Sequence, residues 1–148
     1  MVESMASLVK KVDGVGRKAG DIPRKVLMKF EDRKSGKAKC AAIVEVADTR
    51  GLRERGLSKR ASLGKMSGML FNCRGPFWMK DVEFPLDLCY LDEGGRVTEK
   101  VAMAKDKSGS TLYPAERPES VSAVELPSGF CRKWGVSIGD RLVPVAAI

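Results

Sequence analysis

The sequence predicts a mainly β protein: a small antiparallel domain, barrel-like or sandwich-like, with two short helices and a basic N-terminal arm. Three observations support this prediction. Short runs of alternating apolar and polar residues recur along the chain, turn residues separate them, and helical patterns are short. At 148 residues, the chain is long enough for one domain with its own hydrophobic core.

Residues 1–24 are predicted to form an arm that precedes the domain at residues 25–148. The apolar side chains of the arm follow the three- and four-residue spacing of a short amphipathic helix: Val2, Met5, Leu8, Val9 and Val12. A helix this short is marginal by itself, so we expect it to dock on its own domain or on a neighbouring subunit. The glycine-rich stretch 13–20, which contains Arg17 and Lys18, predicts a flexible hinge.

The domain is predicted to contain eight short strands. They are expected at 25–31, 39–47, 69–71, 77–80, 86–91, 96–104, 121–126 and 141–145. The first two flank a turn at 32–36 and should form an antiparallel hairpin. Asp48 or Thr49 can cap a short helix that ends at Gly56, and Ser128 can cap a second one that ends at Gly135.

The net charge of +8 is unevenly distributed: the first 67 residues carry +9 and the remaining 81 carry −1. Such a basic segment favours an anionic partner, although a solvated surface without a specific ligand explains it equally well. The candidate anion contacts surround the first helix: Arg50, Arg53, Arg55, Lys59 and Arg60. Nonspecific contact with nucleic acid is compatible with these charges. Sequence-specific contact is not expected, because the chain has one Asn and no Gln.

The residues that usually carry catalysis or bind metals are scarce. Histidine is absent, no recognised nucleophile motif occurs, and Cys40, Cys73, Cys89 and Cys131 have no CxxC spacing. We therefore expect no metal, no cofactor and no enzymatic activity. Buried free thiols are the default expectation, and a disulfide is the alternative in an oxidising setting. No apolar run suits a membrane helix or a secretory signal, so we expect a protein made in the cytoplasm without a membrane partner.

Several sequence blocks resemble the DUF192 family, in order, over about residues 40–145. The blocks are 44–49 with 55–57 and Arg60, 68–71, 77–81 with 85–87, 91–92 with 95–97, 124–126 with Gly129, and 135–136 with 139–141. The resemblance implies a compact, mostly β domain with small helices, and no reaction, because the family is uncharacterised. Asp81 departs from the family pattern, which usually has Asn at this position.

The segment 77–87 combines aromatic, basic and acidic residues. If it were a strand, Trp78 and Lys80 would share one face, while Phe77 and Met79 would share the other. One hypothesis is a ligand cleft in which Trp78 forms a wall, and Lys80 and Asp87 make polar contacts. The alternative, which the pattern favours, is a core tryptophan beside a structural Lys–Asp pair.

The preferred hypothesis is a non-catalytic structural protein of a larger assembly, such as a bacteriophage virion. The arm would tether a rigid β domain to other protein subunits through the apolar residues of its helix and through Arg17 and Lys18. A small-ligand binding module that uses the cleft of Trp78, Lys80 and Asp87 is the second hypothesis. An enzyme of unknown reaction is the third, and it would require a carboxylate with a strongly shifted pKa in a pocket.

Overall fold

The computed structural model describes residues 4–8 and 22–148. Within these residues, three short helices and seven strands follow one another. They are α1 (Met5–Leu8), β1 (Arg24–Glu31), β2 (Ala38–Ala47), α2 (Arg50–Arg55), β3 (Ser67–Phe71), β4 (Leu86–Leu91), β5 (Val97–Met103), β6 (Ser122–Pro127), α3 (Phe130–Trp134) and β7 (Arg141–Ala147). The expected mainly β class is confirmed.

All seven strands form one sheet in the order β5-β4-β6-β3-β2-β1-β7. Strands β2 and β3 are parallel, and every other neighbouring pair is antiparallel. The sheet is curved, so that an isolated bridge between Arg96 and Arg141 connects its two ends. Because this is a single bridge and not a continuous strand pairing, the sheet is not closed into a barrel. The sequence did not predict the parallel pair, because strand patterns do not reveal the direction of a partner strand.

The predicted hairpin is formed by β1 and β2. Val26, Met28 and Phe30 are buried along β1, and they alternate with more exposed neighbours. The turn that joins the strands is fixed by the Asp32 carboxylate, which accepts hydrogen bonds from the backbone N–H groups of Lys34 and Ser35, both at 2.9 Å. These bonds hold the pKa of Asp32 well below its usual range.

The sheet has a hydrophobic core on each face. One core packs Met28, Phe30 and Val44 against Phe130 of α3. The other core contains the alternate residues of the strands and the loops that cover them: Met69, Phe71, Leu88 and Tyr90 with Leu57, Phe77 and Met79. Because side chains alternate along a strand, neighbouring residues of the central strands serve opposite cores. The second core carries the candidate site described below.

Helix α1 packs on its own domain. Met5 is 6% exposed and Leu8 is 1% exposed, and both belong to the same core as Phe30. These two side chains, predicted to bind a partner, are therefore buried by their own chain and are not available to a neighbouring subunit. Val2, Val9, Val12, Arg17 and Lys18 lie outside the described residues, as does the glycine-rich hinge. The structure does not show the expected basic arm, and its tethering role stays a prediction.

Two local expectations are wrong. Segment 77–80 is not a regular strand, since only Phe77 pairs, through an isolated bridge to Tyr113. Ser128 does not cap α3, because Gly129 occupies the N-cap position. The cap comes from another strand instead: the Asp87 carboxylate of β4 accepts hydrogen bonds from the N–H groups of Gly129 at 3.3 Å and Cys131 at 3.0 Å. A distant residue can thus replace the local cap, which the sequence alone does not reveal.

The Asp87 cap gives a stability prediction. We expect Asp87→Ala to lower the free energy of unfolding by about 1–2 kcal/mol, because it removes the acceptor of two helix N–H groups. Ser128→Ala is the matched control and should change the free energy of unfolding by less than about 0.5 kcal/mol. Urea denaturation of the three proteins checks this. An equal loss in both variants would contradict the assignment of the cap to Asp87.

Candidate functional site

A cleft opens over the second core. Its volume is about 300 Å³, and its walls come from residues 53–58, at the end of α2 and the turn after it, and from segment 73–82. Phe71 of β3 and Glu125 of β6 contribute its floor. We call this site the Trp78 cleft.

Helix α2 is positioned by its cap and by two buried leucines. The Thr49 hydroxyl accepts a hydrogen bond from the N–H of Leu52 at 3.2 Å, as the sequence predicted, and the helix ends at Gly56. Leu52 and Leu57 are buried in the second core, so the helix and the turn after it are held against the sheet. The parallel β2–β3 connection therefore places one wall of the cleft.

Segment 73–82 forms the other wall. Its chain reverses at Gly75, where φ is +74°, through a cis bond to Pro76. A side chain at Gly75 would place its Cβ 2.7 Å from the backbone N of Phe77, so glycine is required there. The Phe77 ring then packs edge-on against Phe71, with the ring centroids 5.0 Å apart. This contact joins the wall to the floor of the cleft.

Trp78 projects outwards from this wall. Phe77 and Met79 are buried, whereas Trp78 is 50% exposed and Lys80 is exposed, so the predicted alternation holds without a regular strand. The Lys80 ammonium lies 5.5 Å from the centroid of the Trp78 ring, within the range of a cation–π contact. The favoured alternative of a core tryptophan is therefore wrong. Trp78 and Lys80 line the cleft, whereas Asp87 does not and caps α3 instead.

Glu125 is the most unusual residue of the cleft. It lies in the middle of β6, paired with Met69 of β3 on one side and Leu88 of β4 on the other, and it is 4% exposed. Its carboxyl group forms no hydrogen bond or ion pair with any residue that the structure describes. Loss of hydration disfavours the charged form and raises the pKa of Glu125 to about 8. The side chain is therefore largely a neutral carboxylic acid at pH 7.

The sequence pattern does not single out Glu125 as a site residue. The run 121–126 predicts a strand, and its glutamate also falls within one of the blocks that resemble the DUF192 family. The available signal was a lone acidic residue between Val124 and Leu126, in a run otherwise suited to a buried strand. Acidic side chains are seldom fully buried without a partner, so such a residue is a candidate for function.

Basic side chains surround the mouth of the cleft. Arg53, Arg55 and Lys80 are among its lining residues, against one exposed carboxylate, that of Glu54. The guanidinium of Arg53 donates to the Asn72 carboxamide oxygen at 2.9 Å, which fixes its position. With Glu125 protonated, the charges of these lining residues are predominantly positive.

The basic cluster predicted from the sequence is divided in the structure. Arg60 makes two hydrogen bonds to the Glu45 carboxylate, and Arg50 forms an ion pair with Glu54 at 2.9 Å. Lys59 is exposed outside the cleft. The structure therefore brings only Arg53 and Arg55 of the five candidate anion contacts to the cleft, and it joins them with Lys80.

None of the four cysteines, all of which the structure describes, forms a disulfide. Cys73 lines the cleft, whereas Cys89 and Cys131 lie in the opposite core with their sulfur atoms 3.4 Å apart. Burial raises the pKa of Cys40 to about 11. Over residues 4–8 and 22–148, no group of three or more Cys, Asp or Glu side chains is arranged to hold a metal ion. The helices in this same part of the chain are all too short to span a bilayer.

The structure thus defines a small mixed-sheet domain with an aromatic cleft on one face. Four of the blocks that resemble DUF192 contribute residues to that cleft: 55–57, 68–71, 77–81 and 124–126. The DUF192 family model, described as an uncharacterised ACR, matches residues 31–144. The chain belongs to the DUF192 family.

Two solved structures are similar to the chain. A proposed transcription regulator from Sinorhizobium meliloti 1021 is 28% identical, with a TM-score of 0.74, over 84% of this chain and 98% of that one. A protein of unknown function from Novosphingobium aromaticivorans DSM 12444 is 26% identical, with a TM-score of 0.66, over 87% of this chain and 98% of that one. Among curated proteins, none matches the chain.

The burial of Glu125 predicts how stability depends on pH. Its pKa is about 8 in the folded chain, against 4.5 for an exposed glutamate, so the folded state holds a proton that the unfolded state releases. The contribution of Glu125 to the free energy of unfolding therefore falls as the pH rises from 4.5 to 8, by on the order of 3 kcal/mol. Glu125→Gln removes this term, and the variant should be more stable than wild type at pH 8.

Urea unfolding at pH 5 and pH 8 checks this prediction. The difference in free energy of unfolding between Glu125→Gln and wild type should grow with pH. Glu93→Gln is the matched control, because Glu93 lies in an exposed turn, and it should show no such growth. A Glu125→Gln variant that is no more stable than wild type at pH 8 would show that the carboxyl is ionised or paired in the folded protein.

Proposed function

We propose that the protein binds a small molecule in the Trp78 cleft. The observation that carries this proposal is the buried, unpaired carboxyl group of Glu125 on the floor of the cleft. Loss of hydration without a replacement hydrogen bond destabilises the folded state, and the cost reaches about 1–3 kcal/mol for a polar group with no access to solvent. A ligand that forms a hydrogen bond with Glu125 would remove this penalty, so the cleft is better suited to its bound state than to its empty state.

The shape and lining of the cleft support the same proposal. Its volume of about 300 Å³ is at the lower end of the range for small-molecule sites. The rings of Phe71, Phe77 and Trp78 provide apolar surface, and a few polar groups converge on the same space. Small-molecule sites are commonly lined by apolar and aromatic side chains with a few polar groups that fix the orientation of the ligand.

The hypothesis of a structural protein in a larger assembly, such as a virion, stays a prediction. Its argument relied on an apolar helix face that is free to bind a neighbour. Met5 and Leu8 use that face to pack on their own domain. The binding proposal depends on residues 53–125 alone and does not require the arm.

Catalysis is the second candidate function, and the same residue favours it. A carboxylic acid with a pKa of about 8 can donate a proton to a bound substrate near neutral pH. The enzyme hypothesis required a carboxylate with a strongly shifted pKa in a pocket, and Glu125 has this property. The expectation of a non-enzymatic protein stays untested. Release of nitrophenol from p-nitrophenyl esters by wild type, and its loss in Glu125→Gln, would support an enzyme. Equal rates in both proteins would argue against it.

Nucleic-acid contact is not favoured by the geometry. The basic residues around α2 do not form an uninterrupted row, because Arg60 and Arg50 are paired with Glu45 and Glu54. Phosphate contact needs accessible positive charge, and base contact needs donors or aromatic rings placed beside it. The side chains of this surface therefore give no support for transcription regulation, the role proposed for the Sinorhizobium relative.

A fragment screen tests the binding proposal. The chain has two tryptophans, and Trp134 packs against the opposite core, so Trp134→Phe leaves Trp78 as the single tryptophan, which can be excited selectively. Fragments should quench Trp78, and crystals soaked with them should show them between Trp78 and Glu125. In the otherwise wild-type chain, Trp78→Ala should weaken these fragments about tenfold or more by calorimetry, because it removes an aromatic wall. A screen in which no fragment occupies the cleft would contradict the proposal.

A further inference from the structure

The cleft places a carboxylic acid at its floor and positive charges at its mouth. Glu125 is 4% exposed and unpaired within the described chain, and Arg53, Arg55 and Lys80 line the same space. A protonated carboxyl group both donates and accepts a hydrogen bond, whereas an ionised one only accepts. The ligand group that reaches the floor therefore meets a hydrogen-bond donor, the carboxyl group of Glu125, and three positively charged side chains lie above this donor.

We infer that the ligand of the Trp78 cleft is a small planar carboxylic acid, bound as its carboxylate by a hydrogen bond from protonated Glu125. The inference rests on the proposed function. The O–H···O⁻ bond from an acid to a carboxylate is among the shorter and stronger hydrogen bonds. The three basic side chains supply the charge that balances the ligand, and the rings of Trp78 and Phe77 are part of the lining available to its planar body.

A cationic ligand fits the same space less well. Aromatic rings beside an acid can hold a cation, but the Trp78 ring already has the Lys80 ammonium against it. A cation would also have to pass Arg53 and Arg55, and it would require Glu125 to lose its proton in a buried position. Both requirements weaken the binding of a cation. We therefore expect the cleft to discriminate between carboxylates and cations by their charge.

Few other titratable groups face Glu125. Burial raises the pKa of Tyr90 on β4, so its hydroxyl stays neutral over the working range. Glu45 lies on the same side of the sheet on β2, and Arg60 neutralises it. The remaining groups line the cleft itself: Cys73 on the segment after β3, Arg53 to Arg55 on α2, and Lys80. Cys73 is the one thiol among them and needs a control of its own.

Binding of the acid is consequently linked to a proton. The fraction of protein that can donate the hydrogen bond decreases once the pH exceeds the pKa of Glu125, which is about 8. At pH 9.5 that fraction is about one in thirty, so the apparent affinity for a carboxylate should fall about thirtyfold relative to pH 6.5.

Three probes of one shape and different charge test the inference: benzoate, benzamide and benzamidine. Their dissociation constants are measured by NMR titration of the full chain at pH 6.5 and pH 9.5. Benzoate should bind most tightly at pH 6.5 and weaken about thirtyfold at pH 9.5. In Glu125→Gln, the amide still donates but does not titrate, so benzoate binding should persist and lose its pH dependence. Glu93→Gln should keep the wild-type pH response. Cys73→Ser tests whether the thiol carries that response: its loss in this variant would assign the proton to Cys73 and overturn the inference.

The outcomes distinguish this inference from the proposed function. Equal or tighter binding of benzamide or benzamidine in the cleft would overturn the carboxylate assignment and leave a small-molecule site in place. A thirtyfold loss that persists in Glu125→Gln would assign the proton to another group and would also overturn the inference. Absence of any shift at Trp78 with all three probes, together with a fragment screen that leaves the cleft empty, would remove both proposals.

Discussion

The buried carboxyl group of Glu125 is the constraint around which this domain is arranged. A central strand normally carries apolar residues on both faces, and β6 does so next to Glu125, where Ala123, Val124 and Leu126 are all buried. The side chains packed around Glu125 must therefore accommodate a polar group for which the neighbouring strands supply no hydrogen-bond partner. The domain accommodates it in neutral form and leaves space above it, rather than filling that space with a side chain. Stability is reduced locally, and a chemically distinctive cleft results.

The topology explains why that space persists. Because β2 and β3 are parallel, the chain must cross over between them, and α2 lies within this crossover. The helix reaches only one side of the position above Glu125. Segment 73–82 covers the other side, anchored by Phe77 and Met79, which are both buried. Two separate connections thus meet above β6 without closing over it, and Trp78 stands at their edge.

Local patterns in the sequence were sufficient for most of the strands and for α2. The alternation of Val26, Met28 and Phe30 and the Thr49 cap depend only on near neighbours, and both were predictable. The α3 cap and the parallel pair were not, since they depend on residues far apart in the chain. Asp81 shows the same limit: its φ of +58° accounts for the asparagine usual in the family, but the backbone angle is visible only in the structure.

Only some residues of the cleft could be predicted from the sequence. Trp78 and Lys80 were identified from the composition of one segment, whereas Asp87, from the same segment, belongs to another face of the sheet. Glu125 was missed because its burial is a property of the whole sheet.

The ends of that sheet have a different consequence, which concerns contacts between molecules. Pro144 lies within β7, the last strand of the sheet, and has no backbone N–H to donate, while the Arg96–Arg141 bridge occupies the start of that strand. Strand addition from a second molecule therefore finds a broken template, which protects the protein against edge-to-edge aggregation.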